Sequence, residues 1–150
     1  MKKMTLIAVA VLWSVSTTAS AYCQVNNSIR SAKNTHIGMH EYVVFTIKGS
    51  LLGNYNVSAP TGPTFEEDGS GNIITVTGPA YTKIQFTGMK WMCTIKQLYA
   101  VPKLTVKQVA KVGQFEGVVG FIVGHKAATY LGHYTYSIPG YKKVVLKFQH

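Results

Sequence analysis

Acidic residues are scarce in this chain. Only five occur among 150 residues: Glu41, the triplet Glu66-Glu67-Asp68, and Glu116. The shortage removes whole classes of chemistry. A glycosidase needs two carboxylates held in separate environments, and the only close acids here lie together in a Gly/Pro-rich stretch. A Ser-His-Asp triad would have to use Asp68, the sole aspartate, and no Gly-x-Ser-x-Gly elbow accompanies it. Gly69-Ser70-Gly71-Asn72 lacks the lysine and the strand-to-helix context of a phosphate loop.

Cysteine is almost as rare, with Cys23 and Cys93 alone. No Cys-x-x-Cys or Cys-His spacing marks them as metal ligands. In an oxidising compartment they are expected to form one structural disulfide. A link across 70 positions would stabilise the fold by about 4 kcal/mol in the loop-entropy limit.

Long apolar runs are missing except at the start. Lys2 and Lys3 precede the apolar stretch Met4 to Trp13, and Ala19-Ser20-Ala21 supplies small residues for cleavage. This is the pattern of a cleavable signal peptide over residues 1–21. The run is too short to span about 30 Å of hydrocarbon. The bulk of Tyr22 before Cys23 argues against lipid attachment. Cleavage leaves residues 22–150, enough for a single domain with one core. The expected destination is the periplasm or the secreted fraction.

Strongly periodic helical segments are also absent, and strand signatures fill the space. Residues 22–40 read as a polar lead-in, extended or a short helix. Tyr42 to Lys48 is β-branched and aromatic and ends at Gly49. Further strand-like stretches are Leu51 to Ala59, Ile73 to Thr77, Thr82 to Thr87, Trp91 to Ala100 and Gly117 to Gly124. Pro60 to Asn72 reads as a loop. Thr105 to Lys111 places Val106, Val109 and Ala110 at helical spacing and predicts a short helix. Ala128 to Tyr136 and Tyr141 to Phe148 form a hairpin around Pro139-Gly140, residues suited to a type II turn. Short strands at roughly ten-residue spacing predict a mainly β fold. The expectation is a single small β-sandwich or barrel with at most one or two short helices and one disulfide.

Positive charge is plentiful. Without Lys2 and Lys3, thirteen basic residues face five acids, a net charge of +8. Such a field favours an anionic glycan, a lipid headgroup or an acidic protein, and nucleic acid stays open. The C-terminal third interleaves bases with aromatics: Lys126, Tyr130, His133, Tyr134, Tyr136, Tyr141, Lys142 and Lys143. Rings of this kind stack on sugars or bases while lysines neutralise acidic groups. Simple alternation puts Tyr130, Tyr134 and Tyr136 on one face. His36, His40, His125 and His133 are weak metal candidates, since no nearby carboxylate or thiolate completes a familiar spacing. No motif calls for a cofactor. The leading reading is a non-enzymatic exported binding protein. Its alternative is a secreted effector or toxin-like enzyme using histidines, with or without a metal.

Overall fold

The computed structural model describes residues 25–50, 53–90, 98–99 and 104–150. The signal segment, Cys23, Cys93 and most of the stretch from Trp91 to Ala100 lie outside the described residues. The described chain is built from strands. In order they are β1 (Ile29–Ile37), β2 (His40–Lys48), β3 (Tyr55–Ser58), β4 (Thr64–Glu66), β5 (Ile73–Thr75), β6 (Ala80–Phe86), β7 (Leu98–Tyr99), β8 (Val106–Phe115), β9 (Val118–His125), β10 (Tyr130–Ile138) and β11 (Tyr141–Gln149). A four-stranded sheet runs β1-β2-β11-β10, a five-stranded sheet runs β3-β6-β9-β8-β7, and β4 and β5 form a small hairpin.

The two larger sheets face each other as a sandwich. Period-two alternation supplies the inner faces. Val43, Phe45 and Ile47 of β2 meet Ile84 and Phe86 of β6 and Val119, Phe121 and Val123 of β9 in one buried cluster. Phe45 sits at its centre, with ring centroids 5.3 Å from Phe86 and 4.9 Å from Phe121. Val144, Leu146 and Phe148 of β11 extend this core. The strands expected around residues 82–87 and 117–124 and the C-terminal hairpin are present, with positive φ at Gly140 in the turn.

Two expectations are corrected. Thr105 to Lys111 is not a helix: Val106 opens β8. A register shift between Val106 and Gln108 adds one residue to β8 against β9. The extra residue puts Val106 and Val109 on the same inner face, three apart, and so imitates helical spacing. Residues 22–40 are not merely a polar lead-in. Within them β1 pairs along β2, and Ile29 and Ala32 are buried in the core. The same device operates there, since a register shift between Ile29 and Ser31 separates the two inward residues by three.

The outer face of the five-stranded sheet is covered. Val76, Ala110, Val112 and Ile122 form a second buried cluster, with Phe65, Ile74 and Tyr81 packed against it. The β4–β5 hairpin and the segment after it therefore lie over β8 and β9. Asp68 bridges to Gly113, and its N–H donates to the Val112 carbonyl at 3.1 Å. The Tyr81 hydroxyl donates to the Gly78 carbonyl.

Candidate functional site: an open sheet face

The outer face of the four-stranded sheet has no such cover among the described residues. Register fixes its membership. Lys33 pairs with Val44 and Thr35 with Tyr42; Val145 pairs with both Val44 and Tyr134. Lys143 pairs with Tyr136 and Thr46, and Lys147 with Tyr42. These pairs share one face, since directly opposed residues point the same way. Thr35, Ile37, Tyr42, Val44, Tyr134, Tyr136 and Val145 line a groove of about 360 Å³ on it. Val145 at its floor is 1% exposed despite facing outward. Tyr134 and Tyr136 stack with centroids 6.4 Å apart and remain 46% and 44% exposed.

Lysines border this groove. The Lys143 ammonium donates to Thr46 Oγ1 at 2.7 Å. Partial burial lowers its pKa, and the neighbouring Lys33 charge lowers it further. Burial raises the Tyr134 pKa, with Tyr42 and Tyr136 adding to the effect. No carboxylate belongs to this face.

The residues singled out from the sequence divide. Tyr134, Tyr136, Tyr141 and Lys143 fall on the open face by register. Tyr130 does not: a register shift between Tyr130 and Gly132, with Gly132 at φ +124°, turns it inward. Tyr130 packs against the core and stands 5.6 Å from Phe148, centroid to centroid. Its hydroxyl and His133 Nδ1 are 2.8 Å apart, and His133 meets Tyr55 at 5.5 Å. Tyr130, Tyr134 and Tyr136 therefore do not share a face. Lys142 pairs with Ile47 on the opposite parity, and Lys126 follows β9 in the other sheet. Sequence reasoning missed Lys33, Tyr42 and Val44. The alternation His40, Tyr42, Val44, Thr46 outward carried the signal for Tyr42 and Val44, but β1 and β2 became neighbours of the C-terminal hairpin only through sheet topology.

The histidines are dispersed. His36 rests against His150 at 4.4 Å. His125 is buried, with Nε2 2.9 Å from Thr82 Oγ1 and Nδ1 2.7 Å from the Lys126 carbonyl. Burial lowers its pKa, partly opposed by the Lys126 carbonyl. Among the described residues, no three of His, Cys, Asp and Glu come together as a metal site.

Glu41 is the unexpected polar element. It is 0% exposed and crosses between the sheets. Its carboxylate accepts the Thr105 N–H at 2.7 Å, the Val106 N–H at 2.8 Å and the Asn34 amide at 3.4 Å. His150 Nδ1 lies 3.7 Å away. Burial alone would raise its pKa; the Val106 and Thr105 donors, Asn34 and His150 together hold it below the ordinary carboxylate value. Glu41 clasps the sandwich at one end and is out of reach of the open groove's ligands.

A β-sandwich with one outer face covered and the other, among the described residues, uncovered, basic and aromatic defines a small all-β domain. The particular family follows from comparison: the profile of the AMIN-like domain matches residues 26–150, and the chain belongs to that family. AMIN-like domains are associated with cell-envelope and peptidoglycan-related proteins and occur in the periplasm and envelope. No curated protein and no solved structure matches the chain. Among the described residues, no helix is long and apolar enough to cross a membrane.

Proposed function

We propose that this chain is an exported interaction domain of the cell envelope that binds an anionic ligand on the open face of its four-stranded sheet. One observation carries the reading. The face combines a tyrosine-lined groove with Lys33, Lys143 and Lys147 and holds no carboxylate. A sheet face that only needed water would not require large rings around a buried Val145. Tyr42, Tyr134 and Tyr136 offer flat surfaces for stacking, and the lysines neutralise acidic substituents. Membership of an envelope-associated family supports the same compartment.

Heparin serves as the polyanion probe. The purified protein should be retained at about 50 mM salt and released by about 200 mM, as screening predicts for exposed charges. The double variant Tyr134→Ser with Lys143→Gln should weaken retention by roughly tenfold, one such factor being about 1.4 kcal/mol. A Lys126→Gln change, off this face, should leave it nearly unaltered. Equal losses from both variants would show diffuse charge attraction instead of a site.

A further inference from the structure

Strand β10 ends the four-stranded sheet, whose order is β1-β2-β11-β10. Among the described residues nothing pairs with its other side. Such an edge presents a row of unpaired backbone donors and acceptors, and natural proteins blunt it with charge, proline, a bulge or brevity. The other edges follow that practice. β1 carries Arg30 and Lys33, and β3 is four residues long. β10 has one such device, the bulge at Gly132, and beyond it none. Its nine residues, Tyr-Leu-Gly-His-Tyr-Thr-Tyr-Ser-Ile, include no lysine, arginine, acid or proline. Leu131, Tyr134, Tyr136 and Ile138 are all more than 40% exposed. The register with β11 is unbroken from His133 to Ile138, so this stretch is regular strand.

We infer that β10 pairs antiparallel with β10 of a second copy, joining two four-stranded sheets into one eight-stranded sheet. The occupant is argued from charge and from self-complementarity. In a chain with net charge +10, β10 is a long edge on which two copies meet without opposing lysines. The nearest outward lysines, Lys143 and Lys147, sit one strand back on β11. Across the junction the two β11 strands are three spacings apart, about 14 Å, beyond a Debye length of roughly 8 Å. A two-fold axis through Thr135 keeps every side chain on its own face. Tyr134 then opposes the second copy's Tyr136, and His133 opposes its Ser137. The pairing repeats itself by symmetry, as an isologous contact must. It uses backbone groups and leaves the tyrosine groove open, so two grooves come side by side on one continuous face. This inference stands apart from the ligand reading.

The test is a charge swap at the axis. Thr135 is exposed and contributes no side chain to either buried cluster, so substitutions there should fold. Sedimentation equilibrium from about 1 to about 200 µM should show the unaltered protein passing from monomer to dimer, the range of a micromolar Kd. Thr135→Lys and Thr135→Glu should each be monomeric throughout, because like charges would oppose each other. An equimolar mixture of the two should recover the dimer mass. A monomer at every concentration, variants that remain dimeric, or a mixture that stays monomeric would each overturn the proposal. Heparin retention by the monomeric Thr135→Glu form would show the groove reading surviving without the dimer. A dimer whose retention is insensitive to the groove residues would show the reverse.

Discussion

The two outer faces of this sandwich have opposite fates. The five-stranded sheet sends Ala110, Val112 and Ile122 outward and buries them beneath Phe65, Ile74 and Val76. The four-stranded sheet sends Tyr42, Val44, Tyr134, Tyr136 and Val145 outward, and no element of the described chain covers them. Acidic charge divides in the same way. Glu66, Glu67, Asp68 and Glu116 gather around Phe115 on the covered side, whereas lysines border the open face. Glu41 is buried between the sheets. The difference teaches that apolar area on a sheet does not by itself mean core. One face is closed by the chain's own hairpin, and the other, among the described residues, keeps large rings exposed.

The largest effect should come from disturbing the covered face. The Thr77 N–H donates to Gln108 Oε1 at 2.7 Å, holding the segment after β5 against β8. A Cβ at Gly124 would lie 2.0 Å from the Thr77 carbonyl oxygen and 3.1 Å from Val76 Cγ1. Nothing flexible can yield there, because the nearest atom is backbone. Gly124→Ala should therefore lift this segment and cost about 3 kcal/mol, the upper end of overpacking penalties. Denaturant unfolding would read the loss directly. An unchanged midpoint would mean that the cover is loosely held and that the two faces differ less than their contacts imply.

Much of this contrast was legible in the sequence, and some of it was hidden for one physical reason. Alternation located β6, β9 and the terminal hairpin because their inward and outward residues keep a period of two. Bulges defeated it elsewhere. Ile29 and Ala32, Val106 and Val109, and Tyr130 and His133 are each three apart yet share the inner side of their sheet. An extra residue leaves no compositional mark unless it is a glycine such as Gly132. The polar make-up of β1 reflects a strand at a sheet edge, half of which faces solvent. The aromatic and basic character of the C-terminal third was visible in order along the chain. Its completion by Lys33 and Tyr42 required the non-sequential pairing of β2 with β11.

Acid should affect the interior of the sandwich next, through two groups that titrate in separate windows. His125 has a lowered folded-state pKa because burial disfavours its charge. Its unfolded form takes up a proton first as pH falls, so stability is full above about 6.5 and declines below it. Glu41 also has a lowered folded-state pKa, so its contribution is full above about 4.3 and is lost as pH drops through the folded value. Thermal melts from neutral to acid should thus show an early decline and a later, separate one. His125→Gln should flatten the first while leaving the second in place. A profile that is level between neutrality and pH 5 would remove His125 from the account.

The smallest stability effect should come from the open face itself, and its smallness is the sharpest form of the contrast. Tyr134 and Tyr136 stack on each other, yet both are nearly half exposed. Replacing both by serine removes ring contact and part of the shelter over Val145. It opens no cavity inside the sandwich and strands no buried polar partner. Surface substitutions of this kind usually change stability by no more than about 0.5 kcal/mol each. The double variant Tyr134→Ser with Tyr136→Ser should therefore unfold within about 1 kcal/mol of the unaltered protein. A loss of several kcal/mol would mean that these rings are core after all, and the bare face would become a second structural layer. A near-neutral result would leave the tyrosines without a structural duty large enough to explain them, and binding would be the remaining account of why such large rings stand in water.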